Sequence, residues 1–129
     1  MIRILQIFLF SIFMVAASAQ TSGFEQSHSL RRDVAGNLEV RSTVLTNCSC
    51  YTAGRTRLSP PAGDSVAEDS VTLTLALLHG AAYACVKSPK PVYFRSRLSI
   101  PPGTTTVVIF VKDPRSGEIS RRDLAVPGH

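Results

Sequence analysis

Tryptophan is absent from this chain of 129 residues, and aromatic residues make up only 7% of it. Several signatures of chemistry are missing as well. There is no G-x-S-x-G nucleophile turn. Phosphate-cradling P-loops, the G-x-G-x-x-G fingerprint and the H-E-x-x-H zinc motif are equally lacking. Histidine is scarce: His28 lies in a polar N-terminal stretch, His129 ends the chain, and only His79 sits inside a patterned segment. A cysteine–histidine nucleophile would need a free thiol beside His79, and a disulfide at Cys85 would remove the nearest candidate. Asp64, Glu68 and Asp69 cluster on a turn-rich stretch and read as a solvated loop. We therefore assign no catalytic residue and no cofactor.

Long apolar runs are missing too, with one exception at the start. Met1 to Arg3 is a short positive region, Ile4 to Ala17 is almost continuously apolar, and Ala17-Ser18-Ala19 is a small-x-small cleavage site. This is the pattern of a secretory signal peptide over residues 1–19, cut before Gln20. The run is shorter than the roughly 20 residues that span a bilayer, so no membrane span is expected after cleavage. The mature chain is secreted or periplasmic on this reading, with a charge of about +4 once Arg3 is lost. Its arginines are scattered and read as a solvated face. A nucleic-acid partner is not expected, since the chain is exported and carries no recognised binding motif.

What the chain does contain is alternation. Residues 20–36 are polar without a sustained period and are expected to form a flexible leader or a poorly fixed first strand. From Leu38 to Thr46 the apolar side chains fall on every second residue, as a half-buried strand requires. Tyr51 to Leu58 reads as a more polar strand. Val71, Leu73, Leu75 and Leu77 alternate with Thr72, Thr74 and Ala76. Small residues over 81–86 suggest a further strand carrying Tyr83 and Cys85. Val92 to Ile100 alternates again, Thr104 to Lys112 is apolar on both sides, and Ile119 to Val126 returns after the turn Asp113–Glu118. Pro and Gly clusters at 59–64, 88–91 and 101–103 punctuate these strands. Six or seven strands at such spacing predict an all-β, antiparallel β-sandwich domain over residues 37–129.

An exported chain with three cysteines favours a disulfide. Cys48 and Cys50 are separated by one residue, which makes a strained ring of their own pairing. Cys85 is left to pair with Cys50 or Cys48. The third thiol is inert or pairs with another molecule; alternatively, Cys48, Cys50, His79 and Cys85 together build a soft-metal site. Asn47-Cys48-Ser49 also matches the N-glycosylation acceptor pattern.

The stretches LEVRSTVLTNCSCY, SVTLTLALLHGAAYACV and KPVYFRSRLSIPPGTTTVVIFV, covering about Leu38 to Val111, carry a resemblance. Together they resemble a group of small exported bacterial Ig-like β-sandwich domains of unassigned function. The resemblance implies an Ig-like sandwich with Cys50 bridged to Cys85. Cys48 departs from the pattern and is left as a free thiol. The expected function is a binding or structural module of the cell envelope or extracellular space. Its partner is an unidentified protein or envelope component, contacted by the loops at 59–69 and 88–91. A secreted protease inhibitor and a thiol-based metal or redox protein are the alternatives.

Overall fold

The computed structural model describes residues 24–80 and 85–127. The expected signal peptide and its cleavage site, Tyr83 and His129 lie outside the described residues. Seven strands follow one another: β1 (Glu25–Arg32), β2 (Leu38–Thr46), β3 (Tyr51–Arg57), β4 (Ser70–His79), β5 (Lys90–Leu98), β6 (Thr106–Lys112) and β7 (Ile119–Ala125). They form two sheets, one in the order β1-β2-β5 and the other β3-β4-β6-β7. The fold is an all-β sandwich. Among the described residues no helix is long and apolar enough to cross a membrane.

The alternation read from the sequence decides which side chains meet. Leu38, Val40 and Val44 of β2 and Val92, Phe94 and Leu98 of β5 form one wall of the core. Leu73, Leu75 and Leu77 of β4 and Val107, Ile109 and Val111 of β6 form the other. Full burial of a side chain of this size is worth about 1.5–3 kcal/mol, so these twelve residues dominate the stability. The β6 strand is apolar on both faces because both are covered. Its outer residues Val108 and Phe110 are buried together with Thr72 and Thr74 of β4. The segment 58–69 helps to cover them: Thr74 Oγ1 donates to the Ser59 carbonyl at 2.6 Å, and Arg121 donates to the Ser65 carbonyl at 3.2 Å. The Arg121 guanidinium also lies 5.7 Å from the Phe110 ring centre, a cation–π distance.

Three features differ from the expectation. Residues 25–32, expected as a flexible leader or a poorly fixed first strand, form a strand paired residue for residue with β2. Its alternation is hidden because the half-buried positions are Gln26, His28, Leu30 and Arg32. Leu30 packs against the core, while the three polar side chains find hydrogen-bond partners: His28 meets Ser42 at 2.7 Å, Gln26 donates to Ser120 Oγ, and Arg32 donates to the Pro127 carbonyl at 3.2 Å. The β1 edge is thereby tied to β7, and a polar seam runs along that side. Second, β4 and β6 pair in parallel, so the four-stranded sheet is mixed rather than wholly antiparallel. Third, Cys85 and Val86 lie in the β4–β5 connection and not in a strand; the rest of the strand expected over 81–86 lies at 81–84, outside the described residues.

The candidate thiol–imidazole cleft

One end of the sandwich gathers the chemistry. The β2–β3 turn, the end of β4, the β4–β5 connection, the β6–β7 hairpin and Phe24 before β1 all converge there. They enclose an open cleft of about 910 Å³ lined by Cys48, His79, Cys85, Lys87, Asp113 and Arg115 among others.

The β2–β3 turn and the β4–β5 connection are fastened together at this end. Cys50 and Cys85 form a disulfide with Cα atoms 5.3 Å apart. The pairing implied by the resemblance is the one present. Ser49 N–H donates to the Val86 carbonyl at 3.0 Å, and Val86 N–H donates back to Ser49 Oγ at 2.9 Å. Lys90 Nζ donates to the Ser49 carbonyl at 3.1 Å. Gly80 N–H donates to the Cys50 carbonyl at 3.1 Å, which docks the end of β4 on the same turn.

Cys48 keeps its free thiol and is buried, only 5% exposed. Its Sγ lies 3.5 Å from His79 Nε2. The imidazole orientation is fixed from the other side, where His79 Nδ1 meets the Gly80 carbonyl at 2.9 Å. A carbonyl only accepts, so Nδ1 carries a proton, and in the neutral ring the Nε2 lone pair faces the thiol. Cys48 Sγ, His79 Nε2 or Nδ1, and Cys85 Sγ all lie within 4.8 Å of one another. Three of the four residues named from sequence as a soft-metal set thus meet; Cys50 reaches the cluster through its bond to Cys85.

Tyr51 holds this arrangement against the core. Its ring packs edge-on against Phe24 at 5.2 Å and against His79 at 4.7 Å. Its hydroxyl donates to Asp113 Oδ1 at 3.0 Å. Burial first, and the Asp113 carboxylate second, push the phenol up to about 12. The buried tyrosine therefore links the β3 start to the β6–β7 hairpin as an uncharged donor. The role of Tyr51 and Asp113 escaped sequence reasoning, since nothing local marks a pair so far apart in the chain.

The loops expected as contact surfaces fall at opposite ends. Ser88 and Pro89 line the cleft, whereas 59–69 lies at the far end, between β3 and β4, and folds over the outer sheet face. The supposedly scattered arginines are partly gathered. On the outer face of β1-β2-β5, Glu39 accepts from Arg95 Nη2 at 2.7 Å and lies 3.5 and 3.6 Å from Arg41 and Arg31. The Arg95 hydrogen bond, then the surrounding guanidinium charges, hold the Glu39 carboxyl below its usual range. Arg31, Arg41 and Arg95 thus surround a single carboxylate, which pairs part of their charge and leaves the face with a cationic excess.

In comparisons with known proteins, no family model, no curated protein and no solved structure matches this chain.

Proposed function

We propose that this chain is an exported, Ig-like β-sandwich that acts by binding, and that its working surface is the stapled cleft end. One observation carries the reading: three separate connections, the segment before β1 and a disulfide are used to build a single concave surface. Such outlay of turns and a covalent bond at one end is the arrangement of a rigid recognition site on a β scaffold. The lining mixes Phe24, Leu45 and Pro89 with both signs of charge, Lys87 and Arg115 against Glu25, Asp113 and Glu118. A polypeptide segment matches that mixture, since it offers apolar side chains together with backbone donors and acceptors. A polyanion would meet the carboxylates.

Support for export comes from the N-terminal segment and from the disulfide, which persists in oxidising compartments. The Ig-like assignment is supported by two packed sheets and the β1-β2-β5 order. The parallel β4–β6 pair is a departure from that class. The partner is a secreted or envelope protein, and the module performs no catalysis of its own.

The test uses the exported protein as bait against the secreted and envelope fractions of the cells that make it. Lys87 and Arg115 are exposed, so Lys87→Glu with Arg115→Glu alters the cleft without touching the core. A captured protein should be lost from this variant and kept by Asp64→Lys with Glu68→Lys at the far end. Capture that is indifferent to the cleft, or abolished by the far-end change alone, would overturn the assignment. N-terminal sequencing of the exported form should begin at Gln20.

A further inference from the structure

The cleft holds a donor set that peptide recognition does not use. Cys48 Sγ and His79 Nε2 are 3.5 Å apart. Around a tetrahedral ion with metal–sulfur and metal–nitrogen distances of about 2.3 and 2.0 Å, such a pair would also sit about 3.5 Å apart. The His79 ring is held by its other nitrogen on a backbone carbonyl, the support that metal-binding histidines commonly have. A third donor, Cys85 Sγ, is within 4.8 Å of Cys48 Sγ and of a His79 ring nitrogen. In the structure that sulfur is bonded to Cys50.

We propose that Cys48, His79 and Cys85 form a redox-gated site for a thiophilic closed-shell cation, zinc(II) or copper(I), which opens when the Cys50–Cys85 bond is reduced. The chemistry balances with a dithiol as reductant. The dithiol gives two electrons and two protons to the Cys50–Cys85 bond and becomes a disulfide; Cys50 and Cys85 become thiols. The arriving ion then displaces one proton from Cys48 and one from Cys85. His79 loses none, because its Nε2 already offers a lone pair. Two thiolates and an imidazole suit a soft or borderline d¹⁰ ion better than calcium or magnesium, which take oxygen ligands. The fourth position falls to water. In the oxidised chain one sulfur is withheld and the site is closed, so metal affinity reports the state of the disulfide.

The experiment takes the exported protein, reduces it with excess dithiol, desalts it without oxygen, and titrates it with zinc(II) or, separately, with copper(I) held by a competing chelator. One ion should be retained per chain, with two protons released. The oxidised protein should bind at least about 100-fold more weakly, as should Cys48→Ser and His79→Gln after reduction; this is the upper end of what losing a mere supporting partner costs. The Cys50→Ser variant, kept reduced, should bind like the reduced wild type. The two metal arms decide which d¹⁰ ion is preferred, and tight binding of either supports the site. Retention of neither ion, equal binding by the oxidised chain, or loss of binding in Cys50→Ser would overturn it. Because Cys48 is buried, Cys48→Ser risks misfolding; the half-buried His79 then carries the test. Unchanged affinity in His79→Gln would mean that loose thiols, and not this site, hold the ion.

Discussion

At the scale of single residues, the polar groups on the inner side of the sandwich are more informative than the apolar ones. His28 points into the seam between β1 and β7. Its Nε2 lies 2.9 Å from Gln26 Oε1 and its Nδ1 lies 2.7 Å from Ser42 Oγ. Gln26 Oε1 only accepts, so Nε2 carries a proton, and in the neutral ring Ser42 donates to Nδ1. Burial, and then the nearby Arg122 charge, lower the His28 value from 6.5 to about 4. The unfolded chain therefore takes up a proton in a window where the folded one does not. Between pH 6.5 and 4 the unfolded state binds more protons, so stability present above this window is lost as the pH falls through it. With the ring only half buried, wild type should lose about 1–2 kcal/mol more than His28→Gln between neutral pH and pH 4. Urea titrations of both proteins at several pH values read this directly; parallel curves would refute it. None of this was legible in the sequence, where His28 stood in a polar stretch without a period. The same holds for Cys48 and His79. Their chemistry was named from residue type, but a sequence separation of 31 hid the 3.5 Å contact that the β2–β3 turn and the end of β4 create.

At the scale of elements, legibility followed the environment of each strand. The strands β2, β4, β5 and β6 bury apolar side chains on one or both faces, so their sequences carry the period or the unbroken run. The β1 strand packs Gln26 and His28 inward against Ser120 and Ser42 and keeps only Leu30 as an apolar inward residue, so the same geometry leaves no hydrophobic period. The parallel pairing of β4 with β6 was equally invisible, because pairing partners are set by how the crossing connections return and not by side-chain pattern. The β3 strand shows a third case. It was read as polar and continuous, yet its register against β4 shifts between Ala53 and Thr56. Gly54 sits in that bulge, and a Cβ there would come 2.7 Å from the Ala76 carbonyl oxygen and 2.9 Å from Leu78 Cγ. The first of these is backbone of the paired strand and cannot swing aside. Gly54→Ala should therefore destabilise the protein by about 1–3 kcal/mol, against the gain of up to about 1 kcal/mol that Gly→Ala brings where the backbone tolerates it. A fall in the urea midpoint with unchanged slope would show the clash; a rise would show that β3 relaxes around the methyl group.

At the scale of the whole molecule, the disulfide and the core act in different places. The core lies between the sheets, while Cys50 and Cys85 join two connections at one end. The bond spans a sequence separation of 35, and closing a loop of that length stabilises by about 3.5–4 kcal/mol, chiefly by restricting the unfolded chain. Folded domains of this size are held by about 5–15 kcal/mol in total, so reduction removes a large share and still leaves the sheets favoured. Cys50→Ser with Cys85→Ser should lower unfolding stability by about 2–4 kcal/mol. Cys48→Ser should cost less than that, because it breaks no covalent bond. Hydrogen exchange separates the two places: amides of β2, β4 and β6 should stay protected after reduction, while those at 47–50 and 85–89 exchange faster. Loss of protection throughout the sheets would mean that the bond holds the fold itself together. Persistent sheets with a loosened cleft end would mean that reduction reshapes the recognition surface on a standing scaffold, which is the condition a redox-gated metal site needs.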